Sequence, residues 1–407
     1  MIRAGLAKPI LLSFTRWNQY YQMAYVVGVT SMSVIKKTIL LLVLVAMVFL
    51  ALPAWAQGGN GGTSQSANPA IPTFFKLDTS RLIHFAQTWN NCGGATVSMG
   101  LSYFGLTSQS NGDQDAARQY LKPNWEDQNV SPWQMADYVN EIVGETYNVR
   151  AVVRRSGNVA MLETLLASDF PVIIEKGYEE QDLGWMGHYL LLMGYDQAQQ
   201  IFYTYDSFLG SRGGEGREEA YDHITYYWRH FNNTFIVLYP PEREAEVQAI
   251  LGDLWDETVA WQQAKATAQT EAAADPNDYW AWFNLGEAAS ALGEYQIATV
   301  AFRQALNSNQ MPWRTLWYLH GAFEAFYQTG EFKTVLQMAE VLQAITPYIE
   351  EANYYRGLVY AAQGNIDQAL FRLDRVIEFN PNFYPAIEAQ EAIRNGTFSG
   401  PIQTDNG

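Results

Sequence analysis

Cysteine is almost missing: 407 residues contain one, Cys92, so no disulfide can form within the chain. Basic residues are scarce too, with 25 Lys and Arg against 42 Asp and Glu and a formal net charge of −17. A nucleic-acid binder needs a basic stripe to neutralise phosphates, so nucleic acid is excluded as a partner. Long apolar runs are also lacking. The one hydrophobic segment, Ile39 to Leu52, has about 14 residues against the roughly 20 needed to span a bilayer, so the mature form should have no membrane span.

What is present is ample core-forming material, 48% hydrophobic and 14% aromatic residues, in a length that suits two or three domains. Lys36 and Lys37 precede the apolar run, and Ala54-Trp55-Ala56 follows it before Gln57. A positive flank, a short apolar core and a small-x-small site together read as a secretory signal. The protein is therefore expected to be secreted or extracytoplasmic, at the cell surface if the signal stays uncut. No cysteine follows the signal, so a lipoprotein is excluded.

The expected organisation is an over-extended N-terminus at 1–31, with Met32 as the start, a signal peptide at 32–56 and a Gly/Ser/Asn-rich flexible linker at 57–71. Residues 72–241 mix helical stretches with short β-rich runs: Pro171 to Ile174, His188 to Met193, Ile201 to Tyr205 and Thr234 to Tyr239. Late strands after early helices indicate an α+β domain. Ser131-Pro132 marks the start of a helix reaching about Val143. A connecting helix at 242–275 leads to repeats at 276–395, and 396–407 is expected to be a disordered tail.

The repeats announce themselves by spacing. Pro276, Pro312, Pro347 and Pro381 lie 36, 35 and 34 residues apart, while Gly286, Gly321 and Gly357 recur in step with Gly293, Gly330 and Gly364. This period, with a mid-unit glycine turn and a terminal proline, resembles the tetratricopeptide repeat. Each helix pair leaves an apolar face that only the next pair can cover. The middle unit is degenerate at its glycine and alanine positions. Trp280, Trp282, Trp313 and Trp317 read as helix-packing residues.

The chemistry-bearing stretch surrounds Cys92. Ala95, Val97, Met99, Leu101 and Phe104 supply an apolar helical face, Gly105 a stop, and Asn90 or Asn91 an N-cap. Cys92 then falls in the first turn, where unpaired N–H groups and the helix dipole favour a thiolate. Of the histidines, His188 opens a strand that ends in Gly194-Tyr195-Asp196, and a second strand runs from Ile201 to Asp206. Paired as a hairpin that turns near Ala198, they bring His188 and Asp206 to one end. Asp196 is about 26 Å away along the strand at ~3.3 Å per residue. Asp206 is thus the group able to hold the imidazole in its working tautomer. Trp89 and Trp185 lie beside this site, where a cleft wall and core packing suit them equally.

Gln87, Cys92-Gly93-Gly94-Ala95, Gly187-His188-Tyr189, Gly194-Tyr195-Asp196 and Asp206-Ser207 occur in the order of, and resemble, cysteine peptidase family 39, the papain-superfamily group that includes bacteriocin-processing endopeptidases. The resemblance covers roughly residues 72–241. It implies a papain-like α+β domain followed by an all-α helical-repeat domain, with Cys92 as nucleophile, His188 as base and acid, Asp206 as orienting group and Gln87 as oxyanion donor. Gly94 and Ser207 stand where the family often has proline, and five positions separate Gln87 from Cys92. Family members of the bacteriocin-processing kind sit on ATP-driven transporters, but no G-x-x-x-x-G-K-[ST] loop occurs here, which excludes export coupling in cis.

The expected function is a secreted cysteine peptidase acting on a peptide or protein substrate, with no metal or organic cofactor. Its repeats would bind a protein or peptide partner. The alternatives are a papain-fold amidase or acyltransferase working on cell wall or proteins, and a non-catalytic peptidase-like binding scaffold.

Overall fold

The computed structural model describes residues 71–401 apart from 108–111, 127–128, 181–182 and 309. The expected N-terminal extension, signal peptide and nearly all of the linker lie outside the described residues, as does the tail from 402 onward.

The N-terminal half is built on one antiparallel sheet of seven strands: β1 (Phe74–Lys76), β2 (Arg150–Arg154), β3 (Val172–Glu180), β4 (Gly184–Asp196), β5 (Ile201–Asp206), β6 (Arg217–Ala220) and β7 (Phe235–Tyr239). Their order is β2-β7-β3-β4-β5-β6, with β1 pairing the far end of β4. Helices α1 (Cys92–Ser102), α2 (Gly112–Leu121), α3 (Pro132–Asp137), α4 (Val159–Ala167) and α5 (Tyr221–Trp228) complete the domain. Strands β2, β1 and β6 escape the sequence reading. β6, Arg-Glu-Glu-Ala, is a polar edge strand with no apolar signature, and β1 is only three residues long. β4 begins at Gly184, four residues before His188, and is buried from Gly187 through Tyr195.

Helix α1 ends as its glycine foretold. Gly105 has φ +73°, and the N–H groups of Gly105 and Leu106 bond back to Ser102 and Leu101, the double closure of a left-handed C-terminal cap. α3 begins with Ser131 in a reciprocal capping box with Gln134 and runs on through a π-helical stretch, Tyr138–Val143, to a last turn at Thr146.

The connecting segment is two helices: α6 (Glu244–Leu251) and α7 (Glu257–Ala274), separated at Gly252, which has φ +54°. Asp256 caps α7 by accepting from the Thr258 and Val259 N–H groups. Ala260, Ala264, Ala268 and Ala272 repeat every fourth residue along α7 and are all buried. That stripe of small side chains lets the helix lie close against its neighbours.

The repeats follow as α8 (Tyr279–Ala291) with α9 (Tyr295–Leu306), α10 (Thr315–Tyr318) and α11 (Gly321–Gln328) with α12 (Phe332–Ile345), and α13 (Glu350–Ala362) with α14 (Ile366–Phe379). Helix α15 (Tyr384–Arg394) closes the array. Gly293, Gly330 and Gly364 all have φ near +75°, the left-handed turn each unit needs between its helices. Gly286 and Gly357 serve close approach: a Cβ would stand 2.7 Å from Phe302 and 3.0 Å from Leu373. Gly321 also serves close approach, to a carboxyl: a Cβ there would stand 2.8 Å from Glu287 Oε1. In the degenerate middle unit the first helix breaks at Leu319-His320, and Gly321 starts a new segment by donating its N–H to Glu287 at 3.0 Å. After α15, Phe398 packs against the repeat core, so the first residues of the expected disordered tail are held down.

The connecting helix α7 and the first repeat helix α8 rest on the sheet domain. Arg155 pairs with Glu257 at 3.2 Å, Asn232 donates to the Asn284 carbonyl at 3.3 Å, and Trp185, Phe231 and Trp280 form a shared aromatic cluster. Two carboxyls are sealed into this region. Glu175 on β3 and Glu287 on α8 are both pushed up to about 8, burial being the largest cause in each. The Tyr189 hydroxyl lies 2.6 Å from the Val130 carbonyl and 3.1 Å from Glu175. One phenolic proton cannot serve both acceptors, and a protonated Glu175 supplies the second.

An acid whose folded pKa is raised stabilises the fold fully below its unfolded pKa and loses that contribution as pH rises toward the folded value. Thermal unfolding should therefore show a Tm that falls between about pH 4.5 and 8, and Glu287→Gln should flatten the decline. A Tm rising across that window in the wild type would contradict the buried-acid account.

Candidate active site

Cys92 is the first residue of α1 and is half-buried. The loop ahead of it is pinned by a residue the sequence did not single out, Gln114 of α2, which is fully buried. Its Oε1 accepts from the Thr88 N–H at 2.9 Å and from Asn91 Nδ2 at 3.1 Å, and its Nε2 donates to the Ala86 carbonyl at 2.9 Å. Asn91 is the N-cap by position, but its side chain makes no capping bond to the helix and serves this tether instead. Asn90 takes φ +50° at the turn into the helix. The tether explains Gly94. A Cβ there would stand 2.4 Å from Asn91 Oδ1 and 2.9 Å from the Gln114 carbonyl, so proline or any side chain is sterically barred.

His188 and Asp206 meet as expected, and the reason is a bulge. Extended from its turn, where Asp196 pairs with Ile201 and Gly194 with Tyr203, the β4–β5 register would put Asp206 opposite Leu191, on the face away from His188. The register shifts between Leu192 and Gly194, so that Asp206 pairs with Leu190. One extra residue flips the side chains beyond it to the other face. His188 Nε2 then donates to Asp206 Oδ1 at 2.9 Å. Asp206 Oδ1 also accepts from the Phe208 and Leu209 N–H groups at 2.7 and 2.9 Å, while His84 Nε2 bonds the Asp206 carbonyl at 2.8 Å. Asp196 stays at the far turn, bonded to Gln199.

The electrostatics fit this geometry. Burial raises the Cys92 thiol, but a hydrogen bond and the charge of His188, then the charge of Lys122 and the Tyr189 N–H, outweigh it and hold the pKa below the ordinary value. Burial depresses His188, but Asp206 and Cys92 together lift it to about 9. With Nε2 committed to Asp206, Nδ1 is the ring nitrogen left for the thiol. Asp206 is lowered to about 2: burial opposes its charge, and His188 and the two backbone N–H groups overcome that. At neutral pH these directions favour a thiolate–imidazolium pair. Lys122 is a second participant the sequence did not reveal: it is 1% exposed and its ammonium donates to the Asn90 carbonyl.

Gln87 lies where Ser207 holds it. The Gln87 N–H donates to the Ser207 carbonyl and the Ser207 hydroxyl to Gln87 Oε1, both at 2.8 Å. With Oε1 engaged, the amide Nε2 is oriented as the remaining donor. The serine that departs from the family's proline thus fixes the glutamine. Trp185 belongs to the interdomain cluster, its Nε1 donating to His230 Nδ1 at 3.1 Å. Trp89 is 67% exposed and Phe208 53%. Phe208 stands edge-on to Tyr178, whose ring centroid is 5.9 Å from that of His188.

A cysteine at a helix start facing a His–Asp pair on neighbouring antiparallel strands defines a cysteine-peptidase-like α+β domain. Residues 70–236 match the family model described as "Peptidase_C39 like family", and residues 281–310 and 351–382 match tetratricopeptide-repeat models. The chain thus carries a C39-like domain followed by tetratricopeptide repeats. No curated protein matches it. Among solved structures, a candidate C39-like peptidase from Bacillus anthracis aligns at 15% identity over 40% of this chain and 97% of that one, with a TM-score of 0.31.

Alkylation of Cys92 by iodoacetamide should run fast well below pH 8 in the wild type. His188→Ala should move the profile toward an ordinary thiol near pH 8.5, and Lys122→Met should move it part of the way. Labelling that ignores His188 would mean the two groups are not paired.

Proposed function

We propose that the chain is a cysteine peptidase in which Cys92, His188 and Asp206 act as a triad and Gln87 serves the oxyanion. The observation that carries this is the 2.9 Å bond from His188 Nε2 to Asp206, made by an imidazole that also holds the Cys92 thiol pKa below its ordinary value. A merely structural cysteine has no need of a buried histidine held in one tautomer by a buried carboxylate.

In the reaction, Cys92 Sγ attacks the carbonyl carbon of a peptide bond. The oxygen becomes an oxyanion, which the Cys92 N–H and Gln87 Nε2 stabilise. His188 Nδ1–H gives its proton to the amine nitrogen, the C–N bond breaks, and a thioester remains. A water then passes a proton to His188 as its oxygen attacks the thioester, and the acid leaves with the thiolate restored. The exposed Trp89 and Phe208 beside the site suit the side chains of a peptide. The basic flank, short apolar run and Ala54-Trp55-Ala56 support action outside the cytoplasm after cleavage before Gln57. No described helix is long and apolar enough to cross a membrane.

Incubation of the purified protein with a peptide library should yield cleavage that Cys92→Ala abolishes. Asp206→Asn should lower kcat by about a hundredfold or more, and Gln87→Ala by about 10²- to 10³-fold with little change in KM. An intact library with the wild type would sink the peptidase reading. N-terminal sequencing of the exported form should begin at Gln57, and an intact N-terminus would refute processing there.

A further inference from the structure

The repeat domain touches the sheet domain in two places beside the candidate site, next to His188 and next to Lys122. On the His188 side, the aromatic ring of Tyr318 packs against Gly187: a Cβ at Gly187 would stand 2.8 and 2.9 Å from its ring atoms. Gly187 immediately precedes His188, so the ring borders the backbone that aims the imidazole. Arg314, one turn earlier, donates to the Leu183 and Trp185 carbonyls at the start of β4. Trp185 meets Tyr318 edge-to-face at 5.8 Å and stacks on Phe231, so the ring is wedged from behind.

On the Cys92 side, Asn380 and Asn382, just after the last repeat, donate to the Leu121 and Tyr120 carbonyls at 3.0 and 2.9 Å. These residues lead into Lys122, whose ammonium holds the Asn90 carbonyl and whose charge acts on the thiol.

The contact at Tyr318 exists because the middle repeat is irregular. Its first helix stops at Tyr318, and the chain passes through the extended residue Leu319 before α11 begins. An unbroken helix would carry Tyr318 on a regular repeat face. The phenol is buried, and burial followed by the charge of Cys92 pushes its ionisation far above the ordinary range, which places this repeat-domain side chain within the field of the thiolate.

We propose that the repeats are part of the catalytic centre, a clamp on both the His188 strand and the segment before Cys92, in which Tyr318 is a positioning residue setting His188 against Cys92. This rests on the peptidase reading. It gives these repeat residues a partner within the same chain, the domain whose site they complete.

The test uses the full chain with Tyr318→Ala, Tyr318→Leu and Tyr318→Phe, reading the pH profile of Cys92 alkylation beside the Tm. Tyr318→Phe keeps the ring and should label within about twofold of wild type, while Tyr318→Ala should lose about tenfold or more of its rate at pH 6, as expected when a catalytic group is misplaced by a fraction of an ångström. Tyr318→Leu, which refills most of the volume, should fall between and serves if the alanine variant does not fold. A residue that only adds stability would lower the Tm and leave the pH profile of the folded protein unchanged. Low-pH reactivity retained in both Tyr318→Ala and Tyr318→Leu would overturn the clamp and leave the peptidase standing. A wild-type thiol that titrates like an ordinary cysteine would overturn both.

Discussion

The register shift in β4 governs the candidate site. A hairpin with an even ladder from Asp196 and Ile201 would carry Asp206 to the face opposite His188, and no rotamer could reach across the sheet. The shift between Leu192 and Gly194 changes which residue faces which, and the carbonyl of Met193 within it accepts the Leu77 N–H at 2.8 Å. The short strand β1 and the residue after it therefore do more than extend the sheet: they hold the irregularity that lets a histidine and a carboxylate share a face. From that pairing follow the fixed tautomer of His188, the raised pKa of the imidazole and the lowered one of the thiol.

Around this pair the protein builds supports from several elements. Gln114 of α2 ties the loop before Cys92, Ser207 ties Gln87, and Tyr318 from a helical repeat borders Gly187. Each compensates for, or exploits, a local departure from regularity. Glycine at 94 makes room for the Asn91 tether, serine at 207 supplies the hydroxyl a proline would lack, and the broken helix of the middle repeat frees Tyr318 to reach the strand. Features that look like decay of a motif in the sequence are, in the fold, the points where neighbouring elements engage.

Much of this was legible because the signals were local. The helix after Cys92 followed from apolar spacing and its stop at Gly105, the repeat turns from three glycines in step, and the preference for Asp206 over Asp196 from strand length alone. The polar edge strand β6 and the brief β1 escaped because neither buries enough of its own side chains to leave a pattern. Gln114 and Lys122 escaped because their roles depend on what stands opposite them; on helix α2 and just past its end they look like ordinary solvated residues.

The sequence by itself determined the two-part architecture and which thiol, histidine and aspartate stand as candidates for the site, since periodicity, cysteine scarcity and chain reach are properties of the chain alone. Tertiary structure decided what holds those groups in place: the face on which Asp206 projects, the buried lysine and carboxyls that set the local charge, and the docking of the repeats against the strand that carries His188. Those depend on distances between residues more than a hundred positions apart, such as Gly187 and Tyr318 or Leu121 and Asn380, which only the packed fold brings to a few ångströms.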